Sequence, residues 1–116
     1  MFKGKALTKN VRISPHKARL AADLIRGLSV EEAKLQLRYC NMKAGLLLLK
    51  TLNSAIANTE NLFEDAKREN MKVVEVRVDE GRTLKRSKSR SRGSQSPILK
   101  RSSHFTIIVG KKEGEE

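Results

Sequence analysis

Hydrophobic and polar residues alternate in three stretches of the chain, and each stretch predicts a β-strand. The first covers residues 5–13 and the second residues 73–78. The third resumes near Ile98 and is strongest over residues 105–109. Since the second and third strands are joined by a polar segment, they are expected to form the two arms of one antiparallel hairpin.

The alternation also predicts which side chains of these strands are buried. In the first strand, Val11 and Ile13 should face the core between polar neighbours. In the second strand, Val74, Val76 and Val78 should face one way. The charged residues between them should face the other way and meet solvent.

A helical period replaces the alternation between the first and second strands. The first predicted helix begins with Ser14 as N-cap and Pro15 at its first position, and it ends at Gly27. The second begins with a capping box formed by Ser29 and Glu32. The residues expected on the buried faces of these two helices are Ala18, Ala21, Ala22, Ile25, Val30, Ala33 and Leu37.

The second helix should end near Tyr39, and the break at Asn41 lets a third helix begin. Leucines at 46–49 make one turn of this third helix apolar nearly all round, which predicts a central, buried helix. Residues 59–71 are polar and of mixed charge, and they are expected to form a frayed helix end and a loop.

The segment between the two hairpin strands is basic and rich in serine. Arg82 to Arg101 holds eight Lys or Arg and no acid. Gly81 is expected to bend the chain before this segment, and the turn is expected near residues 91–97. Arms of about fifteen residues reach roughly 50 Å, whereas a compact domain of this length has a radius of gyration of about 13–14 Å, so the tip should project. The alternative is that Ser87–Ser96 is a disordered basic loop.

Charge is distributed unevenly along the chain, whose formal net charge is +12. Residues 1–22 hold six Lys or Arg and no acid, and residues 81–112 hold ten and no acid. The segment between them, residues 23–80, is nearly neutral. Two cationic segments that flank a neutral one are expected to face the same polyanion, and Lys17, Arg19 and Arg26 are candidates for a second phosphate patch.

Several functional classes find little support in the sequence. Cys40 is the single cysteine, so a disulfide within the chain and a zinc site with four thiolates are excluded. The longest apolar run, residues 44–49, is far shorter than the ~20 residues that span a bilayer. His16 and His104 are isolated, and no catalytic or metal-binding arrangement stands out. We therefore expect neither an enzyme nor a cofactor, and the few aromatic residues exclude a stacking platform of several rings.

Several motifs, in order and at consistent spacing, resemble the large-subunit ribosomal protein twenty-two family in its bacterial form. The resemblance covers roughly residues 5–110. Its motifs are Ile13–Leu20, Ala22–Gly27, Ser54–Asn58, Val78–Gly81, Thr83–Arg86 and Lys100–Ile107. The chain departs from the family pattern in the hairpin, where Arg82 replaces the usual proline and serines replace more apolar residues.

The resemblance implies an α+β fold in one domain, with three helices packed on a small three-stranded antiparallel sheet and a long protruding basic β-hairpin. Residues 1–80 and 103–110 would form the globular platform, 81–102 the extended hairpin and 111–116 a flexible tail. It further implies a structural protein of the cytoplasmic ribosome that binds large-subunit ribosomal RNA and supports early subunit assembly. The hairpin would line the nascent-peptide exit tunnel.

The implied partners are large-subunit ribosomal RNA, neighbouring ribosomal proteins and the nascent peptide, with no membrane and no homo-oligomer. The residues expected to contact RNA, from the family motifs and the basic segments together, are Arg12, Lys17, Arg19, Arg82, Lys85, Arg86, Lys88, Arg90, Arg92, Lys100, Arg101 and His104. Two alternatives remain open from the residues alone. One is a free-standing regulator of messenger RNA or DNA, and the other is a peripheral membrane protein that lays its basic arm on anionic lipid.

Overall fold

Three helices cover one face of a three-stranded antiparallel sheet, and a separate two-stranded sheet lies beyond it. The computed structural model describes residues 3–63, 67–89 and 95–111, with the backbone alone for 85–89 and 95–99. The elements are β1 (Lys3–Val11), α1 (Pro15–Asp23), α2 (Val30–Tyr39), α3 (Lys43–Leu62), a 3-10 turn (Arg68–Asn70), β2 (Met71–Glu80), β3 (Leu84–Ser89), β4 (Gln95–Lys100) and β5 (Ser103–Lys111).

The last strand is the central one, since the order in the larger sheet is β1-β5-β2. Its helix-facing side chains, Phe105, Ile107 and Val109, are completely buried. Leu48 and Leu52 of α3 are equally buried, and α3 lies across β1 and β5. The core therefore sits between the longest helix and the middle strand, and the predicted α+β architecture is confirmed.

Both predicted helix starts are confirmed. The Ser14 hydroxyl accepts a hydrogen bond from the Lys17 backbone N–H at 3.4 Å, and the Ser29 hydroxyl accepts one from the Glu32 N–H at 3.3 Å. The predicted buried faces of α1 and α2 are confirmed as well. Gly27 takes the predicted left-handed conformation with φ +77°, although α1 itself ends earlier, at Asp23.

The predicted face of the second strand is wrong at one residue. Val73 pairs with Val109 and Glu75 pairs with Ile108, so Val74 is the extra residue of a β-bulge. A bulge shifts the alternation of buried and exposed side chains along the strand by one position. As a result Val73 is buried with Val76 and Val78, whereas Val74 is exposed.

The expectations for α3 hold only in part. The helix ends within residues 59–71, as predicted, but it is still regular at Thr59 and continues to Leu62. Thr59 is fully buried there because its hydroxyl donates to the Ala55 carbonyl at 2.7 Å, which satisfies the polar group inside the core. The run of leucines is not buried all round, since Leu46 is exposed while Leu48 is buried.

The first strand lies two residues earlier than predicted. It ends at Val11, and Ile13 is buried just outside it. The pairing with β5 shifts between Thr8 and Val11, and Asn10 has φ 59° within this irregularity. Asparagine tolerates that conformation better than most residues, so the strand turns sharply into the loop that leads to α1.

The basic segment forms a paired hairpin in its described part. β3 and β4 pair antiparallel from Leu84 opposite Lys100 to Ser89 opposite Gln95. Of the segment in the disordered-loop alternative, Ser87–Ser89 and Gln95–Ser96 are described, and both stretches are paired. Pro97, one of the residues taken to mark the turn near 91–97, lies in β4 opposite Ser87. Residues 90–94, which hold the rest of the predicted turn, lie outside the described residues.

The overall dimensions confirm that the hairpin protrudes. The molecule measures 68 × 25 × 16 Å, with a Cα radius of gyration of 17.4 Å. A compact chain of this length would have a radius of gyration of about 13 Å. The exact division into platform, hairpin and tail stays a prediction, and residues 112–116 of the tail lie outside the described residues.

Candidate nucleic-acid interface

A basic groove lies where the platform meets the base of the hairpin, with a volume of about 1110 Å³. Its cationic lining residues are Lys9, Arg12, Lys17, Lys43, Arg82, Lys100 and Arg101. Within the described part of the chain, no acidic side chain lines it. We call this surface the basic groove.

The fold brings these cations together from four separate segments. Lys9 and Arg12 come from the end of β1 and the loop after it. Lys17 comes from the first turn of α1, and Lys43 is the first residue of α3. At the hairpin base, Arg82 precedes β3, Lys100 is the last residue of β4, and Arg101 follows it. This cluster therefore exists only in the folded molecule.

Two helix N-termini add to the positive potential of the basic groove. Ser14, the N-cap of α1, and Met42, the N-cap of α3, both line it. Neither helix has an acidic residue in its first turn, whereas α2 has Glu31 and Glu32 there. The partial positive charge of a helix N-terminus is therefore left uncompensated at both ends that meet the groove.

His104 is held in one orientation in the wall of the groove. The Asn10 backbone N–H donates to its Nδ1 atom at 3.1 Å. Since Nδ1 acts as the acceptor, the neutral ring carries its proton on Nε2. The Asn10 backbone thus holds the ring by Nδ1 and leaves Nε2 for a ligand.

Hydrogen bonds between the two arms tie the hairpin to the sheet. The Gly81 N–H donates to the Ser102 carbonyl at 2.9 Å, and the Ser102 hydroxyl donates to the Arg82 carbonyl at 2.6 Å. A Cβ at Gly81 would lie 2.6 Å from the Ser102 hydroxyl oxygen. A side chain at Gly81 would therefore press on the Ser102 hydroxyl of the opposite arm, and the bend expected at Gly81 stays a prediction.

The basic groove contains half of the residues that the sequence predicted to contact RNA: Arg12, Lys17, Arg82, Lys100, Arg101 and His104. Of the others on the hairpin, Lys85, Arg86 and Lys88 belong to β3, whose backbone alone is described there. Arg90 and Arg92 lie outside the described residues.

Sequence reasoning missed Lys9 and Lys43. Lys9 belongs to the acid-free first 22 residues. The basic character of that segment was recognised, but Lys9 was not singled out as a contact residue. Lys43 lies in a second acid-free stretch, residues 33–59, which is dominated by apolar residues and gives no local sign of an interface. It reaches the groove only because α3 begins beside α1.

The structure separates the three cations suggested as a patch on the first helix. Lys17 lines the basic groove, while Arg19 and Arg26 reach the outer edge of β2. Nη2 of Arg19 donates to the Val78 carbonyl at 3.1 Å, and Nη1 of Arg26 donates to the Val76 carbonyl at 2.6 Å. These two arginines therefore bind the sheet, and both keep further N–H donors beyond these bonds.

A second group of charges lies away from the groove, between α2 and the end of α3. Burial, together with the nearby positive charge of Arg68, lowers the pKa of the Lys34 ammonium from its ordinary value. Arg68 is itself paired with Glu60 at 2.6 Å. These charges are explained by packing between elements and suggest no binding site.

Neither a metal-binding cluster nor a membrane-spanning helix is found among the described residues. No group of three or more His, Cys, Asp or Glu side chains is placed among them to hold a metal ion. None of their helices has the length and apolar character needed to cross a bilayer.

Comparison with known proteins gives a consistent result. The family model described as "Ribosomal protein L22p/L17e" matches residues 6–110. A protein of Protochlamydia amoebophila named large ribosomal subunit protein uL22 is 62% identical over 109 residues, covering 94% of this chain and 97% of its own length. Proteins with the same name from Chlamydia pneumoniae and Chlamydia abortus are 61% and 57% identical, each with the same coverage of both chains.

Proposed function

The chain belongs to the ribosomal protein L22p/L17e family, and from this premise we propose that it is an RNA-binding structural component of the large subunit of the cytoplasmic ribosome. Membership confirms the resemblance seen in the sequence motifs and the expectation that the chain is a structural protein rather than an enzyme. The observation that carries the RNA-binding proposal is the basic groove, which gathers seven cations from distant segments without an acid among its described lining residues.

Phosphate neutralisation is the mechanism that such a groove supports. Lysines act as point charges, and arginines hold phosphate oxygens with two parallel hydrogen bonds. The groove lies at the base of β3 and β4, so one RNA segment can follow it from the platform onto the hairpin. Recognition would depend on charge and shape, with little reading of base sequence.

The proposed contact residues fall into three groups. The groove residues, including His104 with its Nε2 donor, form the first. The hairpin residues Lys85, Arg86, Lys88, Arg90 and Arg92 form the second, in line with the basic character of that segment. Arg19 forms the third, since its contact with Val78 leaves other guanidinium N–H groups for a phosphate.

The proposal extends to the role of the hairpin within the subunit. The elongated shape, 68 Å in its longest dimension, suits an arm that enters densely packed RNA. We propose that this arm lines the nascent-peptide exit tunnel, contacts the nascent chain, and helps large-subunit RNA to fold during early assembly. Neighbouring ribosomal proteins would contact the platform.

The salt dependence of binding to large-subunit ribosomal RNA tests the mechanism. If the eight cations from Arg82 to Arg101 each meet a phosphate, they contribute a slope of log affinity against log salt of roughly −6 to −7. Replacing Lys43 by Gln should make the slope less steep by about 1. Arg77→Gln is the matched control, because Arg77 is exposed on β2 outside the groove. An affinity that barely changes with salt would overturn the mechanism.

Sedimentation separates the ribosomal role from that of a free-standing regulator of messenger RNA or DNA. The tagged protein in a cell lysate should travel with the large subunit through a sucrose gradient. Recovery only in the light fractions, away from both subunits, would contradict the proposed role.

A further inference from the structure

Four large hydrophobic side chains are exposed where α2 meets α3. Leu35 and Tyr39 are one helical turn apart on α2, and Met42 and Leu46 are similarly spaced at the start of α3. Tyr39 is 74% exposed, more than any other large hydrophobic side chain in the described part of the chain. The Tyr39 ring is therefore open to solvent.

We call the surface formed by Leu35, Tyr39, Met42 and Leu46 the apolar corner. Cationic side chains surround it. Residues 33–59 contain no acid, and Arg38, Lys43 and Lys50 of this stretch are all exposed. An apolar surface for a protein partner would normally carry few Lys at its centre, whereas aromatic rings among cations are typical of surfaces that bind single-stranded nucleic acid.

The corner is continuous with the basic groove. Met42 of the corner and the adjacent Lys43 line the groove, only three and four residues beyond Tyr39. An RNA strand lying in the groove can therefore reach Tyr39 with its next nucleotides. Among the phenylalanine and tyrosine side chains that the structure describes, only Tyr39 is exposed.

We propose that Tyr39 stacks on an unpaired base of the RNA bound in the basic groove, while Arg38 and Lys43 hold the adjacent phosphates. This inference rests on the proposed RNA-binding function and adds a base-stacking residue to it. Phosphate contacts alone position the protein without requiring unpaired nucleotides. A stacking ring requires a nucleotide outside a duplex, so the platform would select a loop or bulge of the RNA.

Intrinsic fluorescence gives a direct test, because Tyr39 is the only tyrosine and the chain has no tryptophan. The full chain is titrated with a short single-stranded oligoadenylate and with its abasic analogue, which has the same phosphates and no bases. The absorbance of the oligonucleotide is corrected with free N-acetyltyrosinamide. Oligoadenylate should quench the Tyr39 emission and the abasic strand should not. Binding without quenching, or equal quenching by both strands, would overturn the inference.

Affinity for large-subunit ribosomal RNA supplies the second test. Tyr39→Ala should weaken binding by roughly 5- to 150-fold, leave the salt slope unchanged because no charge is removed, and be largely rescued by Tyr39→Phe. Leu62→Ala is the matched control, since Leu62 is 69% exposed and lies outside the groove lining.

These measurements distinguish failure of stacking from failure of the proposed function. Salt-dependent binding that Tyr39→Ala leaves intact would refute the role of Tyr39 and preserve the RNA-binding mechanism. If Tyr39→Ala reduced incorporation into the large subunit without changing affinity for RNA, the corner would contact a neighbouring protein and the assignment to RNA would be wrong.

Discussion

At the scale of single residues, two glycines let elements of the platform pack closely because glycine has no side chain. Gly4 of β1 is buried against α3, and a Cβ built on it would lie 2.9 Å from the Thr59 Cα. Gly45 of α3 faces α2 in the same way, since a Cβ added there would lie 2.8 Å from the Leu37 carbonyl oxygen. The Thr59 hydroxyl and the Cys40 thiol lie closer still, but in both places backbone is also an obstacle, and it cannot move aside as a flexible side chain does.

Gly4→Ala is therefore expected to destabilise the protein, by about 1–3 kcal/mol, because the added methyl must push β1 away from α3. Urea unfolding followed by circular dichroism measures the change. The matched control is Lys5→Ala on the exposed side of the same strand, expected to stay within about 0.5 kcal/mol of the wild type. Equal stability of Gly4→Ala and the wild type would mean that β1 and α3 are not packed this closely.

At the scale of elements, the outer edge of β2 is occupied along its length by groups from α1 and the loop after it. The Val73 N–H donates to the Leu28 carbonyl at 2.8 Å, and the two arginine contacts to Val76 and Val78 follow along the strand. Arg26 also pairs with Asp23 at 2.9 Å, but both side chains are largely exposed. The contact with the strand should therefore matter more than the ion pair.

Arg26→Met keeps most of the aliphatic stem and removes the guanidinium, so it should cost about 1–2 kcal/mol through the lost bond to the Val76 carbonyl. Asp23→Ala removes only the exposed ion pair and should cost less than about 0.5 kcal/mol. Thermal unfolding of the two variants at one ionic strength makes the comparison. Similar losses from both would show that the ion pair, and not the strand contact, gives Arg26 its role.

Features that depend only on residues close together in the chain were predictable from the sequence. The serine caps of α1 and α2 depend on residues within one turn, and both were found. The bulge at Val74 was not predicted because 73–78 offers two sets of alternate residues with valine in each, and pairing with β5 decides between them. The length of α3 was missed because Thr59 is polar by composition but satisfied internally.

The candidate site was predictable only in part, for the same reason. The cations of the hairpin form a run in the sequence, so their common role was visible. The basic groove joins residues as distant as Lys9 and Arg101, and that juxtaposition follows from the central position of β5 and the crossing of α3. Local patterns contain no information about such contacts.

At the scale of the whole molecule, the hairpin and the platform differ in the packing that stabilises them. β3 and β4 form a two-stranded sheet of their own, whereas β1, β2 and β5 share a core with three helices. A two-stranded sheet on its own is marginally stable in water, and the lysines and arginines of this segment repel one another. The arm and the platform should therefore open independently.

Hydrogen exchange on the isolated protein should be fast in β3 and β4 and slow in α3, where Leu48, Leu52 and Ile56 are completely buried. Addition of large-subunit ribosomal RNA should slow exchange in the two hairpin strands and leave α3 nearly unchanged. Mass spectrometry of peptic fragments measures both. Equal protection of the hairpin and α3 without RNA would contradict this separation.

The occupied edge of β2 has a consequence for the chain before it meets RNA. A bare strand border is a template on which a second copy can add, and repeated addition leads to fibrils. Arg19, Arg26 and Leu28 occupy three backbone groups along that border, at Val78, Val76 and Val73, so they hinder the addition of a second strand there. The same arginines that give the platform part of its charge should thus disfavour polymerisation through β2 in the free protein.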